Sequence, residues 1–312
     1  MANDNNFRQM KTSTGGIIAP VITLALLFIF WRLGQKWIAM PALALLILFY
    51  LIMPKLIRAR AARFHKRALT LLATGKASAI PKLAKRQIIL QLFGPSGPID
   101  AKLGMAYTQM GDYASAAINL PNGILTAPDS EKPALQTALA KALMVTGDLA
   151  RAEVEGRSVL DKGIRIPELL ATVARARVGL GKIDKTTIEL MNEADNLSTN
   201  DDVKLMLALT RIEMALATGH KTDDIPESAD SSQRFLRTWI HFVRGKLREH
   251  RRDLQAAEES YAKAVKTGKE EHCWFADLAH ERLQFLTQGP SKQTDGNTEI
   301  DPAMRRKKKK RR

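Results

Sequence analysis

The sequence is poor in the residues on which catalytic, metal and disulfide sites usually depend. It contains one cysteine in 312 residues, so no internal disulfide bond can form, and this favours a reducing compartment. It also lacks the Gly-x-Ser-x-Gly, Gly-x-x-x-x-Gly-Lys-Ser/Thr, His-Glu-x-x-His and Cys-x-x-Cys motifs of common enzymes and metal proteins. We therefore expect a non-enzymatic protein that needs no cofactor.

Three potential metal ligands are spaced along one predicted helix. Cys273, Asp277 and His280 have i, i+4, i+7 spacing, which would place three donor atoms on one face of a helix. The alternative is that Cys273 is a small buried residue of that helix and that the other two face solvent. We favour the alternative and predict no metal site.

Acidic residues are almost missing from the first third of the chain. Residues 1–98 contain 14 Lys or Arg residues against the single acid Asp4, and residues 305–312 are eight consecutive basic residues. The net charge of +16 therefore comes from the two ends of the chain, and residues 99–304 are net acidic. Such localised basicity indicates contact with an anionic surface or polymer rather than a uniformly basic protein.

Charged residues are also missing from two apolar runs, residues 12–31 and 37–54, which contain 20 and 18 residues. As helices with a rise of ~1.5 Å per residue they would be about 27 to 30 Å long, which matches the hydrocarbon core of a bilayer. We predict a transmembrane hairpin over residues 16–54, preceded by a cytoplasmic tail over residues 1–15, with Pro54 ending the second helix. The alternative is a helix pair that is buried in protein or lies in the membrane interface.

Basic residues follow the second apolar run directly. Because cytoplasmic loops are enriched in Lys and Arg, this bias places both termini and the rest of the chain on the cytoplasmic side. Residues 55–96 are predicted to form a basic juxtamembrane helical linker, in which each cation near an anionic leaflet contributes about 1 kcal/mol of attraction. A signal that only sets the topology is the alternative. The residues predicted to contact lipid are Arg58, Arg60, Arg63, Lys66 and Arg67.

A helical repeat begins after this linker. Residues 97–130 contain Leu, Gly, Tyr, Ala and Pro at fixed spacings, and part of the pattern recurs over residues 245–264. The matching positions are Leu103, Gly104, Tyr107, Gly111, Ala116, Leu120 and Pro128. The pattern resembles the 34-residue tetratricopeptide (TPR) repeat, which is a pair of antiparallel helices. The resemblance implies an all-α solenoid.

Recurrent turn residues extend this resemblance along the chain. Gly111, Gly147, Gly181, Gly219 and the Arg252-Asp253 dipeptide are separated by 36, 34, 38 and 33 residues, as expected for stacked helix pairs. We predict about five TPR-like repeats over residues 97–268 and a closing helix near residues 270–287. Together they form a solenoid domain over residues 97–287.

A TPR-like solenoid implies a concave surface formed by the first helix of each repeat. Large apolar side chains on this surface would anchor a partner's peptide segment, and its cations would bind acidic side chains or a C-terminal carboxylate. The alternative is that several of these residues are ordinary core or solvated residues. The predicted groove consists of Met105, Gln109, Lys141, Met144, Arg175, Glu213, Trp239, Phe242 and Lys246.

The last segment, residues 288–312, lacks apolar periodicity and is predicted to be a disordered tail. Its eight terminal cations repel one another, so they are expected to bind anionic lipid, to bind nucleic acid such as ribosomal RNA, or to have no specific partner. These residues are Arg305, Arg306, Lys307, Lys308, Lys309, Lys310, Arg311 and Arg312.

These observations favour a membrane-anchored scaffold whose groove binds a protein partner. The arrangement of hairpin, basic linker and helical repeats is similar to that of bacterial inner-membrane TPR proteins, which implies a multi-pass protein of that membrane with its solenoid in the cytoplasm. A membrane-localised nucleic-acid or ribosome-binding factor that acts through the basic tail is the alternative function.

Overall fold

The computed structural model describes residues 36–222, 224–226, 228–269 and 273–288, together with the single positions 25, 28 and 32. Within these residues every regular element is helical, with thirteen α-helices and one short 3-10 helix. The predicted all-α class is therefore confirmed for the described part of the chain. The predicted N-terminal tail, most of the first apolar run and the basic tail from residue 289 onward lie outside it.

Helix α1 spans Lys36–Ala73 and runs through both Pro41 and Pro54. The prediction that the helix ends at Pro54 is therefore wrong. A proline inside a helix removes one backbone hydrogen bond, but the Leu, Ala, Lys and Arg residues that follow Pro54 are strong helix formers and continue the helix. Where side chains are described, no helix combines the length and the apolar character needed to cross a bilayer.

Residues 55–96, predicted as a basic helical linker, contain the end of α1 and two further short helices, which pack into a small helical unit. After α1 the chain forms a 3-10 turn at Ala77–Ala79, helix α2 at Ile80–Lys85 and helix α3 at Ile88–Phe93. These elements share a core with the next helix of the chain, made by Phe64, Ala68, Ala77, Ile80, Ala84, Leu90, Ile99 and Ala106. The basic segment therefore packs on the first helix of the solenoid.

The rest of the described chain is a stack of antiparallel helices. Each helix packs against the next one in sequence, and the first helix of a pair also packs against the first helix of the following pair. This arrangement is that of a helical solenoid. The helices are α4 (Gly97–Met110), α5 (Tyr113–Thr126), α6 (Lys132–Val145), α7 (Leu149–Leu160), α8 (Pro167–Gly179), α9 (Lys185–Leu197), α10 (Asp201–Thr218), α11 (Arg234–His250), α12 (Leu254–Gly268) and α13 (Trp274–Gln288).

The five predicted turns are confirmed. Gly111, Gly147, Gly181 and Gly219 have φ of 80°, 89°, 73° and 73°, in the left-handed region that glycine adopts at little cost. Arg252 takes the same conformation with φ of 66°, and it is the one non-glycine residue with positive φ in the described chain. The turns recur visibly in the sequence because the helix before each of them ends with a residue in the left-handed conformation.

An aspartate follows three of these turn residues and starts the next helix. The side chains of Asp112, Asp148 and Asp253 each accept a hydrogen bond from the backbone N–H three residues later, at 3.0, 3.3 and 3.2 Å. Such N-caps satisfy an otherwise unpaired backbone donor at a helix start. The Gly-Asp and Arg-Asp dipeptides thus end one helix and begin the next.

The fourth predicted repeat lacks its second helix. Helix α10 ends at Gly219, and the described residues between it and α11 form no helix. This segment is rich in Asp and Ser and contains Pro226, so its helix propensity is low. Ile225 from this segment is buried in the core, and α10 packs directly against α11. The described solenoid therefore contains four complete pairs instead of about five.

Candidate partner-binding surface

The nine residues of the predicted groove lie on α4, α6, α8, α10 and α11. Helices α4, α6 and α8 are the first helices of consecutive pairs, and α11 follows α10 directly in sequence. Each of these five helices contacts the next one, and together they form the inner face of the solenoid. The repeat geometry therefore places the predicted residues on one side of the molecule. Their accessibility differs strongly between the two halves of this face.

The C-terminal half of the inner face is closed. Six of the nine residues are buried, and Trp239 and Arg175 keep only 0% and 2% of their surface exposed. Gln109 is exposed, whereas Met105 and Lys246 are half-buried. The buried side chains contact other parts of the chain instead of solvent, so they are not available as an open groove. The six are Lys141, Met144, Arg175, Glu213, Trp239 and Phe242.

A buried carboxylate organises the polar part of this closed half. Glu213 accepts a hydrogen bond from Trp239 Nε1 at 3.0 Å and one from Lys246 Nζ at 3.3 Å. Arg175 Nε lies 3.1 Å from Glu213 Oε2, in an ion pair whose orientation does not make a hydrogen bond. Burial lowers the pKa of Arg175, and the charge of Glu213 acts in the opposite direction. Four residues predicted as a partner surface thus form an internal polar cluster.

Helix α13 supplies the aromatic side chains that close this half. The Arg175 guanidinium lies over the rings of Trp239, Trp274 and Phe275, at 5.2, 5.6 and 5.3 Å from their centroids. The ring of Phe275 stacks on that of Trp239 with centroids 4.9 Å apart. Cation–π and stacking contacts of this kind stabilise a buried guanidinium. The first turn of α13 therefore occupies the space that the sequence analysis assigned to a partner.

Sequence reasoning missed Trp274 and Phe275 as part of the inner face. The predicted closing helix included both residues, but no repeat position assigned them to the groove. Two adjacent aromatic residues at the start of an amphipathic helix were the available signal, because such residues are rarely left exposed. Their distance in sequence from α6 and α8 concealed their partners.

The N-terminal half of the inner face remains open. A cavity of about 690 Å³ lies between α4, α6 and the start of α11. Its wall includes the predicted residues Met105, Gln109 and Lys141. The other lining residues that matter for its chemistry are Thr108, Thr137, Glu168, Gln233, Arg234 and Arg237. Met105 and Gln109 are thus accessible in this cavity, and Lys141, although buried, contributes to its wall.

Several polar side chains that line this cavity are hydrogen-bonded to one another. Lys141 Nζ donates hydrogen bonds to Glu168 Oε1 at 2.6 Å and to Gln233 Oε1 at 3.0 Å. Gln233 in turn donates to Asp202 Oδ2 at 2.7 Å, which connects the start of α11 to the start of α10. The Nε of Arg237 is buried and has no hydrogen-bond partner among the described residues.

The residues predicted to contact lipid or metal are also placed by the structure. Arg58, Arg63, Lys66 and Arg67 are exposed on α1, and Arg60 is half-buried. The basic tail at residues 305–312 lies outside the described residues.

The metal candidate is not assembled. Cys273 is buried, whereas Asp277 and His280 are exposed. No three His, Cys, Asp or Glu side chains converge as a metal site anywhere in the described ranges.

No family model, no curated protein and no solved structure matches the chain.

Proposed function

We propose that this protein is a non-enzymatic, membrane-anchored adaptor whose TPR-like solenoid binds an extended segment of a protein partner. The observation that carries the proposal is the open cavity between α4, α6 and α11. Its volume of about 690 Å³ falls within the ~300–1,000 Å³ of typical binding pockets. The lining combines the apolar side chain of half-buried Met105 with the polar side chains of exposed Gln109 and half-buried Arg237, so the cavity offers both apolar and polar contacts.

Site-specific crosslinking in intact membranes tests this proposal. A photo-crosslinking amino acid at Gln109 would line the cavity, whereas the same group at Gln284 would be exposed on α13 and outside the cavity lining. We expect discrete crosslinked proteins from position 109 and none of them from position 284. The same products from both positions, or none from either, would remove the cavity from partner binding.

Membrane attachment is the second part of the proposal. It is supported by the two uncharged runs of 20 and 18 residues and by the cations that follow them. Alkaline carbonate extraction of membranes tests it directly. We expect the full chain to stay in the pellet, and its release into the supernatant would contradict attachment by a spanning segment.

The alternative function, nucleic-acid or ribosome binding, is favoured by the eight consecutive cations at residues 305–312. Contacts with phosphates release counterions, so such binding weakens steeply as salt is raised. Salt-dependent RNA retention that disappears on deletion of residues 305–312 would support this alternative. Retention of all partners by the truncated chain would support the adaptor.

A further inference from the structure

We infer that a second cavity, on the face of α11 that carries His241, binds a phosphate group. This cavity has a volume of about 550 Å³ and is distinct from the proposed partner cavity, although Arg237 lines both. The inference depends neither on partner binding nor on membrane attachment. The polar residues that line the second cavity are Ser228, Asp230, Arg237, His241, Arg244 and Thr267.

Three parts of the chain build this cavity. Arg237, His241 and Arg244 follow one another at spacings of four and three residues, which place them on one side of α11. Thr267 lines the cavity from the end of α12, and residues 228–230 of the segment before α11 complete the wall. Arg244 Nη2 donates a hydrogen bond to the Pro226 carbonyl at 2.6 Å, which fixes this segment against α11.

Arg237 is a cation without a counterion among the residues that the structure describes. Its side chain forms no ion pair and no hydrogen bond with any of them, and its Nε atom is buried. The half-buried ring of His241 likewise makes no hydrogen bond to a described residue. Partial burial removes water from a guanidinium, and a bound anion offsets this loss.

The charges around His241 favour an anion in the cavity. Burial and the charges of Arg244 and Lys263 lower the pKa of His241. Arg237 acts in the same direction, and Asp230 acts in the opposite one. Asp230 is exposed, and its carboxylate already accepts a hydrogen bond from the next backbone N–H at 2.8 Å. In the described structure three cations and one acid therefore act on this ring, so the local potential attracts anions.

The available donors suit a tetrahedral dianion. A guanidinium donates two parallel hydrogen bonds to a phosphate, and the hydroxyl groups of Ser228 and Thr267 offer donors for its further oxygen atoms. A bound dianion would also offset the repulsion that disfavours a proton on His241. Binding should therefore raise the pKa of His241 and add a proton, so the affinity should increase as the pH falls.

Sulfate binding to the full chain in detergent tests this inference by calorimetry at constant ionic strength. Sulfate keeps two negative charges throughout the range, about pH 5.5 to about pH 8, in which histidine titrates. Arg237→Gln removes a cation from the cavity. Arg251→Gln is the matched control, because this exposed arginine follows α11, pairs with Asp224 and lies outside the cavity lining. Circular dichroism checks that each variant is folded.

We expect Arg237→Gln to weaken sulfate binding at least about tenfold and Arg251→Gln less than about twofold, since only the first removes a charged donor from the site. His241→Gln is an independent variant, because His241 does not line the partner cavity. The affinity of the parent should rise at least about threefold from about pH 8 to about pH 5.5, and His241→Gln should lose this rise.

Competition identifies the source of the phosphate group. Displacement of sulfate by glycerol phosphate alone would assign the site to a soluble ligand, and displacement only by phosphatidic acid in the same micelles would assign it to a lipid. No displacement by either would overturn the phosphate assignment. The inference would also be overturned by a folded parent without saturable sulfate binding, by equal weakening in the two arginine variants, or by an unchanged pH response in His241→Gln.

Discussion

Gly147 lies directly against the indole of Trp274. A β-carbon added to this glycine would be only 2.7 Å from Trp274 Cδ1. Gly147 also has φ of 89°, so it serves both as a helix-ending turn and as a contact surface for α13. The turn at Gly181 has φ of 73°, but an added β-carbon there would meet nothing within 4 Å. A substitution at Gly181 therefore reports the cost of backbone strain alone, whereas a substitution at Gly147 reports that cost together with the loss of packing against Trp274.

We expect Gly181→Ala to lower the free energy of unfolding by about 1 kcal/mol, which is the cost of a left-handed non-glycine residue. Gly147→Ala should lower it by at least about 1 kcal/mol more, because the ring of Trp274 must move. Urea titration of the full chain in detergent, followed by circular dichroism, measures both values. Equal losses in the two variants would show that Trp274 does not pack on Gly147.

The buried cluster around Glu213 gives a second prediction. Glu213→Gln keeps an acceptor for Trp239 but removes the charge that compensates the buried Arg175, so we expect a loss of about 3 kcal/mol in unfolding free energy. Lys246→Ala is the matched control, because that side chain is 33% exposed and contacts the same carboxylate. Its loss should stay below about 1 kcal/mol. A smaller loss for Glu213→Gln than for Lys246→Ala would contradict the assigned cluster.

Asp184 connects the start of α9 to the buried Arg177, and this predicts a pH dependence. Hydrogen bonds from the Thr187 backbone and from Arg177 lower the pKa of Asp184 from 3.8 to about 2. A lowered pKa in the folded state means that the stabilisation is present above the unfolded pKa and is lost as the pH falls through about 2. We therefore expect the difference in unfolding free energy between the parent and Asp184→Asn to be constant at neutral pH and to shrink below about pH 4.

Asp148→Asn provides the control for this variant. Asn is as good an N-cap as Asp, so both substitutions keep the cap and remove only the charge. The carboxylate of Asp148 has an exposed contact with Arg151 at 3.5 Å, where little stability is expected. At neutral pH the urea midpoint should therefore be lower than that of the parent for Asp184→Asn and nearly equal to it for Asp148→Asn, and the first difference should shrink below about pH 4. The same response in both variants would contradict the role of Arg177.

Filling the open cavity should reduce partner binding without unfolding the solenoid. Gln109→Trp places an indole at the cavity wall, and Gln284→Trp adds the same exposed surface on α13. With the photo-crosslinking group moved to Thr137, which also lines the cavity, we expect at least about a tenfold loss of crosslinked partner for the first variant and little change for the second. The reason is that a blocked pocket cannot accept the anchoring side chains. Unchanged crosslinking with Gln109→Trp, in a chain with normal circular dichroism, would contradict the proposed site.

The features that could be predicted from the sequence are those set by local backbone chemistry. Each of the five turns requires a residue in the left-handed conformation. Four of these residues are glycines and the fifth is Arg252, and they recur at nearly regular intervals in the sequence. The N-caps at Asp112, Asp148 and Asp253 were not predicted, although each Asp directly follows a turn residue in the sequence. Repeat spacing therefore located most of the helices.

The state of the inner face could not be predicted in this way. Whether Trp239 faces a groove or a core depends on Phe275, which belongs to a helix outside the repeat pattern. The missing helix after α10 also brings α11 against α10 and places Gln233 beside Lys141. These contacts join residues that are distant in sequence, and a repeat pattern does not specify which distant residues meet in the tertiary structure.

The hydrogen bond between Lys141 and Gln233 joins residues 92 positions apart, and Trp274 reaches back to Gly147 in the same way. In an open repeat array each unit touches only its neighbours, so the array can melt from one end. Here the second helix pair is tied directly to the start of α11 and to α13, which lie much later in the chain. Loss of α13 should therefore weaken α6 and α8 at once, and the solenoid should unfold as one cooperative body.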